Sequence, residues 1–184
     1  MKRIFLTLIV IIMTLTVCKS QVFNSAQTLK KGTFALGFEP TLFINYDDAF
    51  YFFIHGGYGL KSGIDMAFHL GLGEGDEYIG GDIEFALRKN ISLAVGAHSC
   101  NGFGLDGTLL FNIPIRSDIN FYTGFDTDIN FRDTDGDGDD DIFAPLFIPV
   151  GMEIVLKQKL VLYFEAEIGI NEYHVLGGGL AFYF

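Results

Sequence analysis

Residues 176–184 read Leu-Gly-Gly-Gly-Leu-Ala-Phe-Tyr-Phe and end the chain on a strict alternation. Leu180, Phe182 and Phe184 fall on one side, Ala181 and Tyr183 on the other. A period of two marks an extended strand with two unlike faces. Followed back toward the N-terminus, the same period runs through almost everything after residue 32. It is cleanest at residues 64–73, where Ile64, Met66, Phe68, Leu70 and Leu72 oppose Asp65, Ala67, His69, Gly71 and Gly73. It repeats where Ile79, Ile83, Phe85 and Leu87 oppose Gly80, Asp82, Glu84 and Ala86. It repeats again where Leu160, Leu162, Phe164, Ala166 and Ile168 oppose Tyr163, Glu165, Glu167 and Gly169.

The alternation predicts ten strands: Thr33–Ile44, Phe50–Leu60, Ile64–Gly73, Tyr78–Leu87, Ile91–Cys100, Gly104–Ile113, Asp118–Asp128, Phe143–Val155, Leu160–Ile170 and Val175–Phe184. Their lengths suit a tilted crossing of a bilayer, which takes about 9–11 residues. An even number of antiparallel strands returns both termini to one side, so the expected architecture is all-β, an antiparallel up-and-down barrel of ten strands with eight as the alternative count. The large apolar face must point outward, because a barrel of this size has an interior just wide enough to be filled by ordinary side chains. Gly, Ala, Ser, Asp and Glu suit that interior; the Phe, Leu and Ile of every segment do not. Only lipid tolerates such an outer face, and a water-soluble barrel needs the inverse arrangement.

The N-terminus fits the same setting. Lys2 and Arg3 precede an apolar stretch from Ile4 to Val17, and the small Ser20 precedes Gln21, so residues 1–20 read as a cleaved secretion signal and residues 21–184 as a single domain. Cys18 raises the possibility of a lipid anchor, but Val17 is bulkier than the small residue expected before a lipidated cysteine. Removal of the leader leaves Cys100 alone, which rules out an intramolecular disulfide. The formal net charge is −11, and losing Lys2, Arg3 and Lys19 makes the chain more acidic still, so nucleic acid is not an expected partner.

Charge also sets the orientation. Lys61, Arg88, Lys89, Arg116, Lys157 and Lys159 all lie in alternate short turns, and Lys30 and Lys31 precede the first strand. These turns share a rim with both termini. The other rim carries the acidic connections, among them the long run after Phe131. Short turns belong on the periplasmic side and long loops outside.

The leader, the meander of alternating strands and the terminal aromatic strand together resemble the small outer-membrane β-barrel proteins of the Gram-negative envelope. The resemblance covers the whole mature chain and is one of pattern. It implies residence in the bacterial outer membrane, contact with outer-membrane lipid, and recognition of Phe182 and Phe184 by the barrel-assembly machinery during biogenesis. It does not fix a function, since unrelated tasks share such barrels.

Three candidate sites stand out. Residues 133–141, Asp-Thr-Asp-Gly-Asp-Gly-Asp-Asp-Asp, set Asp133, Asp135, Asp137, Asp139 and Asp141 in a short glycine-spaced loop that could wrap a Ca2+ ion. Against the EF-hand loop the first three ligand positions, the turn glycine and the ninth position match. The twelfth is Ala144 in place of a bidentate glutamate. The alternative is a solvated acidic loop. Second, Glu39, Asp65, Asp82, Glu84, Asp106, Asp126, Glu153, Glu165 and Glu167 share the inward parity, with His55, His69 and His98 and without any Lys or Arg. Burying such a set is costly, so the lumen must hold water or cations, or some of the acids must carry protons. Third, residues 97–104 resemble the His-x-Ser-Asn motif of outer-membrane lipid A deacylases, with His98 and Asn101 in place and Cys100 where serine belongs. The resemblance implies an esterase with His98 as base and Cys100 as nucleophile. The changed nucleophile and the lack of an acidic residue at a matching distance downstream argue against it. A protease built on Asp106, Asp126 and His98 at the barrel mouth is no better supported. The expected function is therefore a non-enzymatic barrel with a structural or surface-interaction role and a polar, largely occluded lumen. A narrow cation-selective pore is the alternative, and an envelope hydrolase comes third.

Overall fold

Alternating side chains with β-branched and aromatic residues on one face favour long strands. A computed structural model of the chain describes residues 27–44, 49–73, 77–100, 102–132, 141–157, 159–170 and 173–184. The strands are β1 Phe34–Ile44, β2 Phe50–Lys61, β3 Ile64–Gly73, β4 Tyr78–Arg88, β5 Ile91–Ser99, β6 Phe103–Pro114, β7 Ile119–Arg132, β8 Asp141–Phe143, β9 Leu146–Lys157, β10 Leu160–Gly169 and β11 His174–Tyr183. Each pairs antiparallel with its sequence neighbour, except that β9 and the short β8 both pair with β7. β11 closes the sheet on β1, with Leu36 opposite Phe182 and Phe38 opposite Leu180. Phe34 and Phe184 exchange main-chain hydrogen bonds of 3.3 and 2.8 Å at the seam. The result is a closed up-and-down barrel of ten staves, and the eight-strand alternative falls away.

The predicted eighth strand is interrupted. β9 leaves β7 at the pair Thr127–Leu146, and β8 resumes at Asn130–Phe143 in unchanged register. Pro145 lies in the gap and has no N–H to give the ladder; its carbonyl instead accepts a 2.9 Å hydrogen bond from Thr127 Oγ1. The seventh strand runs past its expected end at Asp128 to Arg132.

The turns Lys61–Gly63, Lys89–Asn90 and Ile115–Asp118 lie at one rim with both ends of the barrel. Gly63 takes a φ of 74°, which a side chain would disfavour. Register shifts fall at the turn ends of β2, β4 and β10, where barrels commonly place bulges. Lys30, Lys31, Lys61, Arg88, Lys89, Arg116, Lys157 and Lys159 are all exposed there, and Arg116 makes a two-toothed ion pair with Asp118 (3.0 and 3.1 Å). Residues 28–33 fold into this mouth. Gly32 donates to the Gly59 carbonyl (2.8 Å), and the Leu29 N–H donates to Asp65 Oδ2.

The outer wall is apolar. Phe68, Leu87, Phe103, Phe125, Phe164 and Leu176 stand on it, with Phe68 51% and Phe125 53% exposed. The parity predicted from sequence therefore holds along every stave. The core is the bore of the barrel.

Candidate functional site

Every inward position follows from strand parity, so the lumen can be read row by row. Glu39, Asp65, Asp82, Asp126, Glu153, Glu165 and Glu167 are buried inside the barrel, and Glu84 and Asp106 face the same interior half-buried. The structure thus gathers the whole predicted set of carboxylates in one lumen. It adds two residues that lie beyond or at the end of the expected seventh strand. Asp128 and Asn130 share the parity of Asp126 and are buried beside it.

At the termini rim, Val161, Tyr163 and Ala181 pack together with Tyr183 against them, and the two tyrosine hydroxyls are hydrogen-bonded to one another. A cavity of about 90 Å³ lies under Leu29, walled by His55, Asp65, His69, Asp82, Glu84 and Tyr163. A polar space of that size can hold several waters. Glu153 accepts a 3.1 Å hydrogen bond from Asn120 Nδ2.

Across the middle runs a four-residue chain on adjacent strands. Glu39 Oε2 lies 3.0 Å from His55 Nε2, the His55 and His69 Nδ1 atoms lie 2.6 Å apart, and His69 Nε2 lies 2.7 Å from Asp82 Oδ2. Since two ring nitrogens can share only one proton between them, one histidine donates and the other accepts. His55 and His69 are thereby satisfied by each other and by flanking carboxylates. Further round the bore, Thr108 Oγ1 donates to Asp126 Oδ1 (2.5 Å). Glu167 is fully buried, and neither of its oxygens has a hydrogen-bond partner among the described residues.

Toward the loop rim, His98 lies across Gly104, with Nδ1 3.3 Å from Asp106 Oδ2 and Nε2 3.1 Å from Asn130 Oδ1. A methyl group on Gly104 would come within 2.1 Å of Nε2, so only glycine lets the ring lie there. Gly96 makes the same room for the Asp106 carboxylate. Both nitrogens of His98 are thus turned to other strands, while Cys100 is buried at 1% exposure in the aromatic cluster that also holds Tyr78. Among the described residues, the side-chain hydrogen bonds of His98 go to Asp106 and Asn130 and none goes to Cys100.

Above these polar rows, Phe43, Tyr51, Phe53, Tyr78, Phe147, Tyr173 and Val175 fill the bore. Ring contacts cross it: Phe43 to Tyr51 at 5.3 Å, Phe43 to Tyr173 at 5.8 Å, Phe147 to Tyr173 at 5.2 Å and Phe53 to Tyr78 at 5.5 Å between centroids. The expectation of small and acidic interior residues was incomplete here. The signal was present: Phe43 shares parity with Glu39 and Thr41, and Tyr51 and Phe53 with His55.

Asp133, Asp135, Asp137 and Asp139 of the acidic run lie outside the described residues, as do residues 1–20. Asp141 opens β8, its backbone paired with Arg132. Phe182 and Phe184 stand on the outer wall at the seam, with the Phe184 ring 6.4 Å from that of Phe34.

Comparison with known proteins finds the same architecture. The NanC porin superposes with a TM-score of 0.53 at 9% identity, covering 80% of this chain and 98% of that one. This chain has the fold of the small outer-membrane β-barrels. The N-terminal barrel domain of Pseudomonas aeruginosa OprF (TM-score 0.41, 10% identity, covering 85% of this chain and all of that one) is also similar. So is Neisserial surface protein A (TM-score 0.42, 12% identity, covering 82% and 95%). No protein-family profile matches the chain, and no curated protein matches it.

Proposed function

We propose that this chain is a non-enzymatic barrel of the bacterial outer membrane, with a structural or surface-interaction role and an occluded lumen. The observation that carries the reading is the aromatic cluster. Phe53, Phe147 and Val175 are wholly buried inside a bore that the polar rows below would otherwise leave hydrated. A tightly packed plug of rings leaves no file of water through it. The membrane setting rests on the apolar outer wall, since patches of this extent on a soluble monomer would drive association. Phe182 and Phe184 at the closing seam suit recognition by the assembly machinery, and the run from Asp133 to Asp141 suits a weak Ca2+ site on the outer side.

The test is conductance of the refolded protein in a planar bilayer. The intact protein is expected to stay at baseline. Combined Phe53→Ala, Phe147→Ala and Tyr173→Ala, checked for folding by heat-modifiable gel mobility, should open a current carried by cations, because the inward carboxylates set a negative potential along any water path. Regular conductance steps from the unaltered protein would replace the plug with the cation-pore reading.

A further inference from the structure

The geometry points to a divalent transition-metal site, of the zinc class, inside the lumen at His98, Asp106 and Asp128. A ring nitrogen of His98 and a carboxylate oxygen from each aspartate all lie within 4.8 Å of one another. Ligands at about 2.1 Å from one ion stand about 3–4 Å apart, so a small approach of these side chains completes the set. The three residues come from adjacent strands β5, β6 and β7. Asp106 is directly opposite Asp128 in the ladder, so the two side chains and His98 approach one point of the lumen.

Two independent features point at the same spot. Tyr78 is completely buried and stacks on the His98 ring (5.3 Å, 21°). Its hydroxyl has no hydrogen-bond partner among the described residues and lies within electrostatic reach of Asp106 and Asp128. Asn130 Oδ1 holds Nε2 of His98, which turns Nδ1 toward Asp106. That is how a supporting residue fixes the tautomer of a metal-binding histidine. An imidazole beside two carboxylates favours zinc and its neighbours over calcium or magnesium, which prefer oxygen alone.

The experiment uses the full chain refolded in detergent, stripped with chelator, then titrated with Co(II) and with Zn(II). A visible Co(II) band and a Zn(II)-dependent rise in the thermal midpoint are expected from a single site. Both should vanish in His98→Gln and in Asp128→Asn. Asn130→Leu should weaken binding about 10–100-fold, and His55→Gln, which alters the other histidine pair, should leave it intact. Heat-modifiable gel mobility establishes that each variant is folded. Absence of the band and of the midpoint shift from the unaltered chain overturns the proposal. So does persistence of the band in either His98→Gln or Asp128→Asn, which would place the metal in the acidic loop. An equal midpoint shift with Ca2+ overturns the zinc-class assignment.

Discussion

Phe68 and Ala67 are adjacent on β3 and occupy opposite environments. The Phe68 ring stands on the outer wall, whereas Ala67 lines the cavity beside Asp65, Asp82 and Glu84. A charge introduced on the lipid side near mid-strand costs about 2–4 kcal/mol, and Phe68→Arg should show that loss in chemical unfolding from lipid vesicles. Ala67→Arg brings the same charge among carboxylates and is expected to cost clearly less. Equal costs would mean that the faces have been assigned the wrong way round. Glu167 makes the complementary case. It is buried without a hydrogen-bond partner among the described residues, and Asp126, Glu165 and Glu39 lie near enough to repel it. Glu167→Gln keeps the shape but cannot ionise, so it should raise the unfolding midpoint at alkaline pH, where the carboxylate must be charged, with a gain that shrinks as the pH falls. A fall in the unfolding midpoint would instead show that the carboxylate holds a proton or a cation that the amide cannot.

At the scale of the strand, alternation is legible because each residue's face depends only on its parity, and the seam, the turns and the basic rim follow from it. β3 begins and ends where its pattern does. What alternation does not reveal is how the bore is filled, since that depends on which strands lie opposite one another across it. Phe43 and Phe147 are distant in sequence, and only closure of β11 on β1 brings both against Tyr173. The break at Pro145 was likewise hidden, because a second proline, Pro149, lies inside β9, where pairing to β10 carries the strand past it. Glycines carried a meaning that composition did not disclose: several are cradles for a neighbour's ring. A Cβ on Gly151 would lie 2.1 Å from Cζ of Tyr122, itself buried at 1% exposure. Gly151→Ala should therefore destabilise the barrel by about 1–3 kcal/mol, as overpacking of a filled core does. Pairing it with Tyr122→Leu should restore part of that loss in the same unfolding assay. If Gly151→Ala alone is silent, the ring does not rest on that glycine.

For the whole molecule, the strongest asymmetry is between its rims. Exposed lysines and arginines crowd the mouth that holds both ends of the barrel, while the strand ends that flank the acidic stretches of the sequence lie at the other. Short turns occupy the basic mouth and the longest connection leaves the acidic one, which in an outer membrane sets the basic mouth toward the periplasm. Site-directed labelling can check this orientation directly. In a Cys100→Ala background, Ser99→Cys places a thiol at the end of β5 at the loop rim, where the serine hydroxyl now bonds the Gly102 carbonyl at 3.2 Å. Ser117→Cys places one in the exposed turn between β6 and β7 at the opposite rim. A membrane-impermeant maleimide applied to intact cells should modify the first and spare the second until the envelope is permeabilised. The native Cys100 should resist the reagent in both conditions, since it is sealed among Tyr78, Phe53 and their neighbours rather than facing either solvent. Labelling in the reverse order would invert the barrel in its membrane, and with it the side on which the acidic loop meets its surroundings.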